Sequence, residues 1–318
     1  MGGTWFPRVA GCCALLAALL GVACGGGGEV QVDFTSLEPQ ATRPSPAAEG
    51  STLRLAVAPV ISPLESFSLY QELASYIGTK IGVPVEFVQG KTYAEINDLV
   101  RSGSVSLAIV CTNPYLQGQE EFGMEALAAA VPQGADGPWY YSYLVVRTDS
   151  DAESLADLRG STFAFSDPLS NSGRLVPAYQ LALMGESPDS FFRRYIFTYA
   201  HDNSVRAVAD GLVDGAAVDS LIYDYLAFSE PNVVAKTKVL TRWGRFGNNP
   251  VVVNPSLDPA LKGRLRQVLL SMHDDEVGAV ILRRLRVERF VPVDDSIYDS
   301  VREMREYMKS FEATRQGR

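Results

Sequence analysis

Cysteine and histidine are scarce in this chain, with four cysteines and two histidines in 318 residues. Cys12 and Cys13 lie in an apolar N-terminal run and Cys24 directly follows it, which leaves Cys111 alone in the remainder. One thiol cannot form an intramolecular disulfide or a thiolate metal site. Two histidines, His201 and His273, do not suggest a histidine metal cluster, so no metal is expected. Positive charge is short as well: 28 Lys and Arg stand against 37 Asp and Glu, a formal charge of −9. That balance argues against nucleic-acid binding and against electrostatic docking on anionic lipid. It does not exclude an anionic ligand, because backbone N–H groups and hydroxyls bind anions whatever the net charge. Catalytic signatures are absent too. No Gly-x-Ser-x-Gly elbow, Walker loop, dinucleotide glycine motif or His-Glu-x-x-His occurs. Ser170, His201 and Asp219 could be drawn as a triad, but they lie in separate segments and nothing in the sequence puts them in contact. Neither an enzyme nor a cofactor is expected.

Long apolar runs are also missing. Val9–Ala23 is too short to span a bilayer as a stable helix, so residues 1–23 read as a cleaved signal peptide, with Arg8 its only charge. Its removal makes the rest one unit more negative than −9. Cys24 follows Leu20-Gly21-Val22-Ala23 and resembles the acylated cysteine of bacterial lipoproteins, although Gly21 stands where an aliphatic residue is usual. The alternative is ordinary signal cleavage with Cys24 incidental. Residues 24–50 are rich in Gly, Pro, Ser, Thr and Glu, which makes them a flexible tether with too little apolar content for a core. A lipid on Cys24 and this tether would hold a folded domain just off a membrane.

From Leu53 onward strand and helix alternate. Leu53–Val57, Val85–Val88 and Leu107–Val110 read as strands, with helices over Leu69–Ile81 and Tyr93–Ser102 between them. Ser161–Phe165, Tyr195–Thr198 and Gly215–Asp219 start a second such run, and Pro250–Asn254 reads as a return strand. From Pro259 the pattern is helical. This is an α/β chain with largely parallel sheets in two lobes. Lobe 1 is expected over 51–145, with 255–318 returning to it, and lobe 2 over 146–254.

Ligands in such sheets sit beyond the carboxyl ends of the strands. One strand end leads into Ser166-Asp167-Pro168-Leu169-Ser170-Asn171-Ser172-Gly173, just before a helical segment. A helix start offers free N–H groups and the positive dipole end, and Ser170, Asn171 and Ser172 add donors with little bulk. The turn therefore suits a small oxyanion, the plainer reading being an N-cap. A second strand end carries Thr112, Asn113 and Tyr115, where the alternative is turn chemistry before a helix.

Several segments occur in a telling order. They are Tyr-Ala-Glu-Ile with Arg-Ser-Gly (93 to 103), Asn-Pro-Tyr (113 to 115) and Leu-Ala-Asp-Leu-Arg-Gly-Ser-Thr-Phe-Ala-Phe (155 to 165). Then come Ser-Asp-Pro-Leu-Ser-Asn-Ser-Gly-Arg-Leu-Val-Pro (166 to 177), the stretch from Ala200 to Ser220, and Phe-Val-Pro-Val-Asp-Asp-Ser-Ile-Tyr (290 to 298). Over about residues 51 to 305 this set resembles the phosphate, phosphite and phosphonate-binding proteins of ABC transporters. The resemblance implies a two-lobed periplasmic-binding-protein fold of type II with the ligand cleft between lobes. It implies a small phosphorus oxyanion as ligand, a phosphonate, phosphite or phosphate, and as partners a permease and its ATPase. The protein is then an extracytoplasmic monomer, in the periplasm or at the outer face of the cytoplasmic membrane. The same fold can instead serve as a sensor or as a binder of another small molecule. By resemblance, Ser170-Asn171-Ser172-Gly173 replaces a family Ser-Thr-Ser-Gly that holds ligand oxygens, and His201 donates to one of them. Asp219 is expected to accept a hydrogen bond from a ligand that keeps a proton. Tyr70, Tyr93 and Tyr115 are implied first-lobe contacts, and 243–250 reads as a surface loop or cleft rim.

Overall fold

A computed structural model describes residues 52–316. The signal segment 1–23, Cys24 and the tether 24–50 lie outside the described residues. The strands are β1 (Leu53–Val57), β2 (Val85–Gln89), β3 (Leu107–Ile109), β4 (Glu125–Pro132), β5 (Trp139–Arg147), β6 (Thr162–Phe165), β7 (Arg194–Phe197), β8 (Gly215–Asp219), β9 (Thr237–Gly247), β10 (Pro250–Val253) and β11 (Val287–Val291). They form two sheets, one ordered β11-β4-β10-β3-β1-β2 and the other β7-β6-β8-β5-β9.

Parallel pairing holds where helices connect the strands. β1 runs parallel to β2 and β3, and β6 runs parallel to β7 and β8. The expectation of largely parallel sheets needs correction, because β10 is antiparallel to β3 and β4, β11 to β4, and β5 to β8 and β9. Three of the antiparallel strands escape a sequence reading. β4 is Ala-rich, a composition that favours helix, yet it is trapped between β10 and β11. β9 takes in much of the segment read as a loop from Trp243, and β11 interrupts the helical stretch after Pro259.

The long helix Pro63–Ile81 begins six residues ahead of Leu69 and stops at Gly82. Gly82 has φ 72°, a left-handed conformation that costs glycine little, and its N–H closes on the Gly78 carbonyl. Helix Tyr93–Arg101 is capped by Thr92, whose side chain accepts from the Glu95 N–H, and it buries Tyr93, Ile96, Asn97 and Val100 on one stripe. Leu55, Leu73, Ile77, Leu107, Val251 and Leu265 fill one side of the first sheet. Phe163, Phe165, Leu181 and Phe191 fill one side of the second, where Phe163 stacks on Phe192 at 4.4 Å between centroids.

All of β5 pairs in the second sheet and β10 in the first. Following the sheets, we propose that the lobes divide between Pro132 and Trp139 and again between Gly247 and Pro250, in place of 145/146 and 254/255. Leu261, Leu265, Ile281 and Leu282 pack on the first-sheet core. The last helix, Asp299–Gln316, is shared: Val301 and Met304 join a cluster with Val176, and Tyr307 meets Tyr179 edge-on at 5.2 Å.

Candidate ligand-binding site

The strand ends that matter follow from register. β6 and β8 are parallel, so both deliver their last residues to one side, Ser166 and Asp167 after β6 and Asp219 at the end of β8. β5 is antiparallel with Ser142 opposite Asp219, which sets Tyr140 just beyond that end. In the other sheet β1 and β3 end at Val57 and Ile109, and antiparallel β10 begins beside the end of β3.

The Ser170 turn forms here. Ser170 caps a π-type turn, Asn171–Leu175, that runs into the α-helix Val176–Leu183. A wider turn of this kind is a recurrent mark of functional segments. The Ser170 hydroxyl accepts from the Gly173 N–H at 3.0 Å, so the N-cap reading also holds. Gly173 is required by space, since a Cβ there would lie 2.0 Å from Ser166 Oγ and 2.9 Å from His201 Cε1.

His201 opens helix His201–Ala209 and is fully buried. Tyr199, in left-handed conformation at φ 59°, donates its N–H to the Ser166 carbonyl at 2.6 Å and turns the chain toward it. The Asp219 N–H donates to His201 Nδ1 at 3.0 Å. Burial pushes the imidazole down to about 3, so the ring is neutral and its proton resides on Nε2. Nε2 lies 3.4 Å from Ser170 Oγ and 3.5 Å from Ser166 Oγ. His201 therefore presents one donor to the turn.

Asp219 is 2% exposed and caps helix Ser220–Ser229, its Oδ1 accepting from the Leu221 N–H at 2.8 Å. Burial raises its carboxyl to about 7, against the opposing pull of the Leu221 N–H. Tyr93 is fully buried, and burial first, then Cys111, Asp167, Asp219 and Tyr140, hold its phenol well above the ordinary range. Burial likewise pushes the Cys111 thiol up to about 12. The Tyr93 phenol and the Cys111 thiol therefore stay protonated, whereas Asp219 changes charge near neutral pH.

Two lobes meet at this point. The Asn171 N–H approaches Cys111 Sγ at 3.4 Å, and Asn171 Nδ2 donates to the Tyr140 hydroxyl at 2.8 Å. The Tyr93 N–H donates to Asp167 Oδ2 at 3.2 Å, the His201 N–H to the Val60 carbonyl at 3.0 Å, and the Ser62 N–H to Asp202 Oδ1 at 2.9 Å. Within this closed arrangement, the Tyr93 hydroxyl, Asn171 Oδ1 and Ser172 Oγ are buried with no hydrogen-bond partner. Two of them sit on one turn, and Tyr93 and Asn171 share Cys111 and Tyr140 as neighbours; buried polar groups are nearly always paired.

Tyr70, Asp219 and Asn249 line a cavity of about 200 Å³ next to this cluster. Burial, then Asp219, pushes the Tyr70 phenol up to about 12. The other expected contacts are engaged elsewhere. The Thr112 hydroxyl donates to the Gly247 carbonyl at 2.8 Å. Asn113 Nδ2 donates to the Leu169 carbonyl at 2.9 Å, and Asn113 Oδ1 accepts from Arg305 at 2.6 Å. The Tyr115 hydroxyl donates to Asp295 at 2.9 Å, and its ring meets Tyr298 edge-on at 5.1 Å. Burial and Asp295 raise that phenol. These three residues join the helix Thr112–Phe122 to its surroundings and do not line the cavity.

Sequence reasoning missed Tyr140, Ser142, Ser166 and Asp167. Ser142 Oγ donates to the Ser172 carbonyl at 2.7 Å and so fixes the turn from behind. Which ring of β5 faces inward depends on its pairing with β8.

Comparison with known proteins identifies the family. Residues 55–298 match the family model described as ABC transporter, phosphonate, periplasmic substrate-binding protein. The phosphate-import protein PhnD of Mycolicibacterium smegmatis is 29% identical over 309 residues, covering 91% of this chain and 92% of that protein. The phosphonates-binding periplasmic protein of Escherichia coli is 28% identical over 211 residues, 65% of this chain and 62% of that one. Among solved structures, PhnD1 from Prochlorococcus marinus in complex with methylphosphonate superposes with a TM-score of 0.72 at 17% identity, over 81% of this chain and 98% of that one. A binding-protein component of an ABC phosphonate transporter from Pseudomonas aeruginosa gives a TM-score of 0.78 at 22% identity, over 84% of this chain and 89% of that one. The fold is the two-lobed periplasmic-binding-protein fold. With a matched stretch this long, the chain belongs to the phosphonate-type periplasmic substrate-binding proteins of ABC transporters, which are binding components and not enzymes.

Proposed function

We propose that this protein seats a small phosphorus oxyanion, a phosphonate, phosphite or phosphate, between its lobes and delivers it to a permease driven by its ATPase. The protein acts as a monomer outside the cytoplasm, held to the membrane by a lipid on Cys24. The observation that carries the seat is the set of buried polar atoms without partners: the Tyr93 hydroxyl, Asn171 Oδ1 and Ser172 Oγ. Tyr93 and Ser172 offer O–H donors. Turning the Asn171 amide lets Tyr140 donate to Oδ1 and frees Nδ2 as a third donor. His201 Nε2 adds a fourth, with Ser170 beside it. Donors fixed in a water-poor site replace hydration of the anion, and the turn adds the helix-start field.

Asp219 supplies selection. As a carboxylate it repels a dianion, and it accepts from a ligand that keeps a proton. Once protonated itself, it can donate. Thr112, Asn113 and Tyr115 we assign to positioning the first-lobe helix rather than to ligand contact.

The test is Ser172→Ala. One hydrogen bond to a charged oxygen contributes about 1.5–3 kcal/mol, so affinity for phosphate or methylphosphonate should fall at least about tenfold by calorimetry. The ligand-free melting temperature should hold steady or rise, because the hydroxyl has no partner to lose. Unchanged affinity for every oxyanion that the parent binds would leave Ser170–Ser172 as a simple helix cap.

A further inference from the structure

The cavity beside the seat is larger than an inorganic anion requires and is lined mainly by apolar side chains. It encloses about 200 Å³. Its wall draws on both lobes: Leu73, Ile109, Ala130 and Phe290 from the first, Leu221 and Ile222 from the helix that Asp219 caps. These apolar side chains make up most of the wall, with Asn249, Arg284 and Arg286 reaching it at the polar part, and none of Ser170, Asn171, Ser172 or His201 lies on it. Asp219 is the junction. Its side chain borders the cavity, while its backbone N–H is tied to His201 in the seat.

From this juxtaposition we propose that the physiological ligand is an organophosphorus anion, its phosphorus oxygens in the seat and a mainly apolar substituent of about six to eight non-hydrogen atoms in the cavity. The proposal rests on the oxyanion reading of the seat given above. The size follows from volume, because an apolar cavity of about 150 Å³ takes up benzene, and this one is about a third larger. Asp219, placed where the substituent leaves the phosphorus, stands against an additional anionic oxygen at that position and tolerates carbon. A phosphite or a phosphate fills the seat alone and gains nothing from the apolar wall.

The affinity gain is predictable. Burying one methylene contributes about fourfold in Kd, so lengthening the substituent should tighten binding stepwise until the cavity is full. The experiment is calorimetry of the full-length protein with phosphate, methylphosphonate, butylphosphonate and phenylphosphonate. Butyl- and phenylphosphonate should bind roughly thirtyfold or more tightly than methylphosphonate. Ser172→Ala should weaken methyl- and phenylphosphonate by similar factors, since both would share the seat. Ala130→Phe, which narrows the cavity, should weaken phenylphosphonate more than methylphosphonate. If methylphosphonate or phosphate binds well and the larger ligands bind equally or worse, the substituent pocket is refuted while the oxyanion seat stands. If phenylphosphonate binds tightly but is indifferent to Ser172→Ala, it lies elsewhere and the proposal also fails. If no phosphorus anion binds at all, the reading of the seat itself is overturned.

Discussion

Replacing Asp219 by Asn should change stability in a way that depends on pH. Asp219 is 2% exposed, and burial raises its carboxyl from 3.8 to about 7, the Leu221 and Ile222 N–H groups pulling weakly the other way. A carboxyl raised on folding holds its proton more tightly in the folded state. Its contribution favours folding below the unfolded value of 3.8 and is lost as pH climbs from there to about 7. Above that, the buried carboxylate costs up to about 4 kcal/mol relative to a neutral group, from 1.36 kcal/mol per tenfold in proton affinity. Local relaxation and water entry reduce such figures, so about 2–4 kcal/mol is the working range. Asn is close in shape, carries no charge and caps a helix as well as Asp. Asp219→Asn should therefore melt roughly 5–10 °C above the parent at pH 8 and within a degree or two of it at pH 4. Calorimetric scans of parent and variant across that range, without ligand, make the comparison. Asp224, His201, Tyr70 and Tyr93 surround the site in both proteins, so their titration largely cancels in the difference. A variant equally stabilised at both pH values, or less stable than the parent at pH 8, would refute the claim that a buried charge resides there.

Three further outcomes follow from named contacts. Gly173→Ala should abolish oxyanion binding and lower stability by about 1–3 kcal/mol, because its Cβ would meet Ser166 Oγ at 2.0 Å; retained affinity would show that the turn shifts freely. Tyr115→Phe should lose about 1 kcal/mol of stability with its bond to Asp295 and leave ligand affinity intact, whereas a large affinity loss would return Tyr115 to the site. Cys24→Ser should move the protein out of the membrane fraction and stop labelled fatty-acid incorporation, and continued labelling would disprove acylation at that residue.

Local features of the chain were legible because their causes are local. Strand β6, the Asp-Pro break and the small polar residues 170–173 specify a helix start, whatever surrounds them. Alternating apolar runs with short turns specified an α/β chain. What needed the tertiary structure was everything set by pairing across sequence distance. An Ala-rich segment became β4 because β10 and β11 flank it, and the segment carrying Lys238, Arg242 and Arg245 became strand β9 because β5 lies beside it. Tyr115 reads as a contact in sequence, yet Asp295, 180 residues away, claims its hydroxyl. Tyr140 gave no signal, yet its hydroxyl holds Asn171. The chemistry of the site is tertiary for the same reason. Composition places a His and an Asp in the chain, but the neutral His201 tautomer and the raised Asp219 carboxyl arise from desolvation and from one N–H bond between segments 18 residues apart.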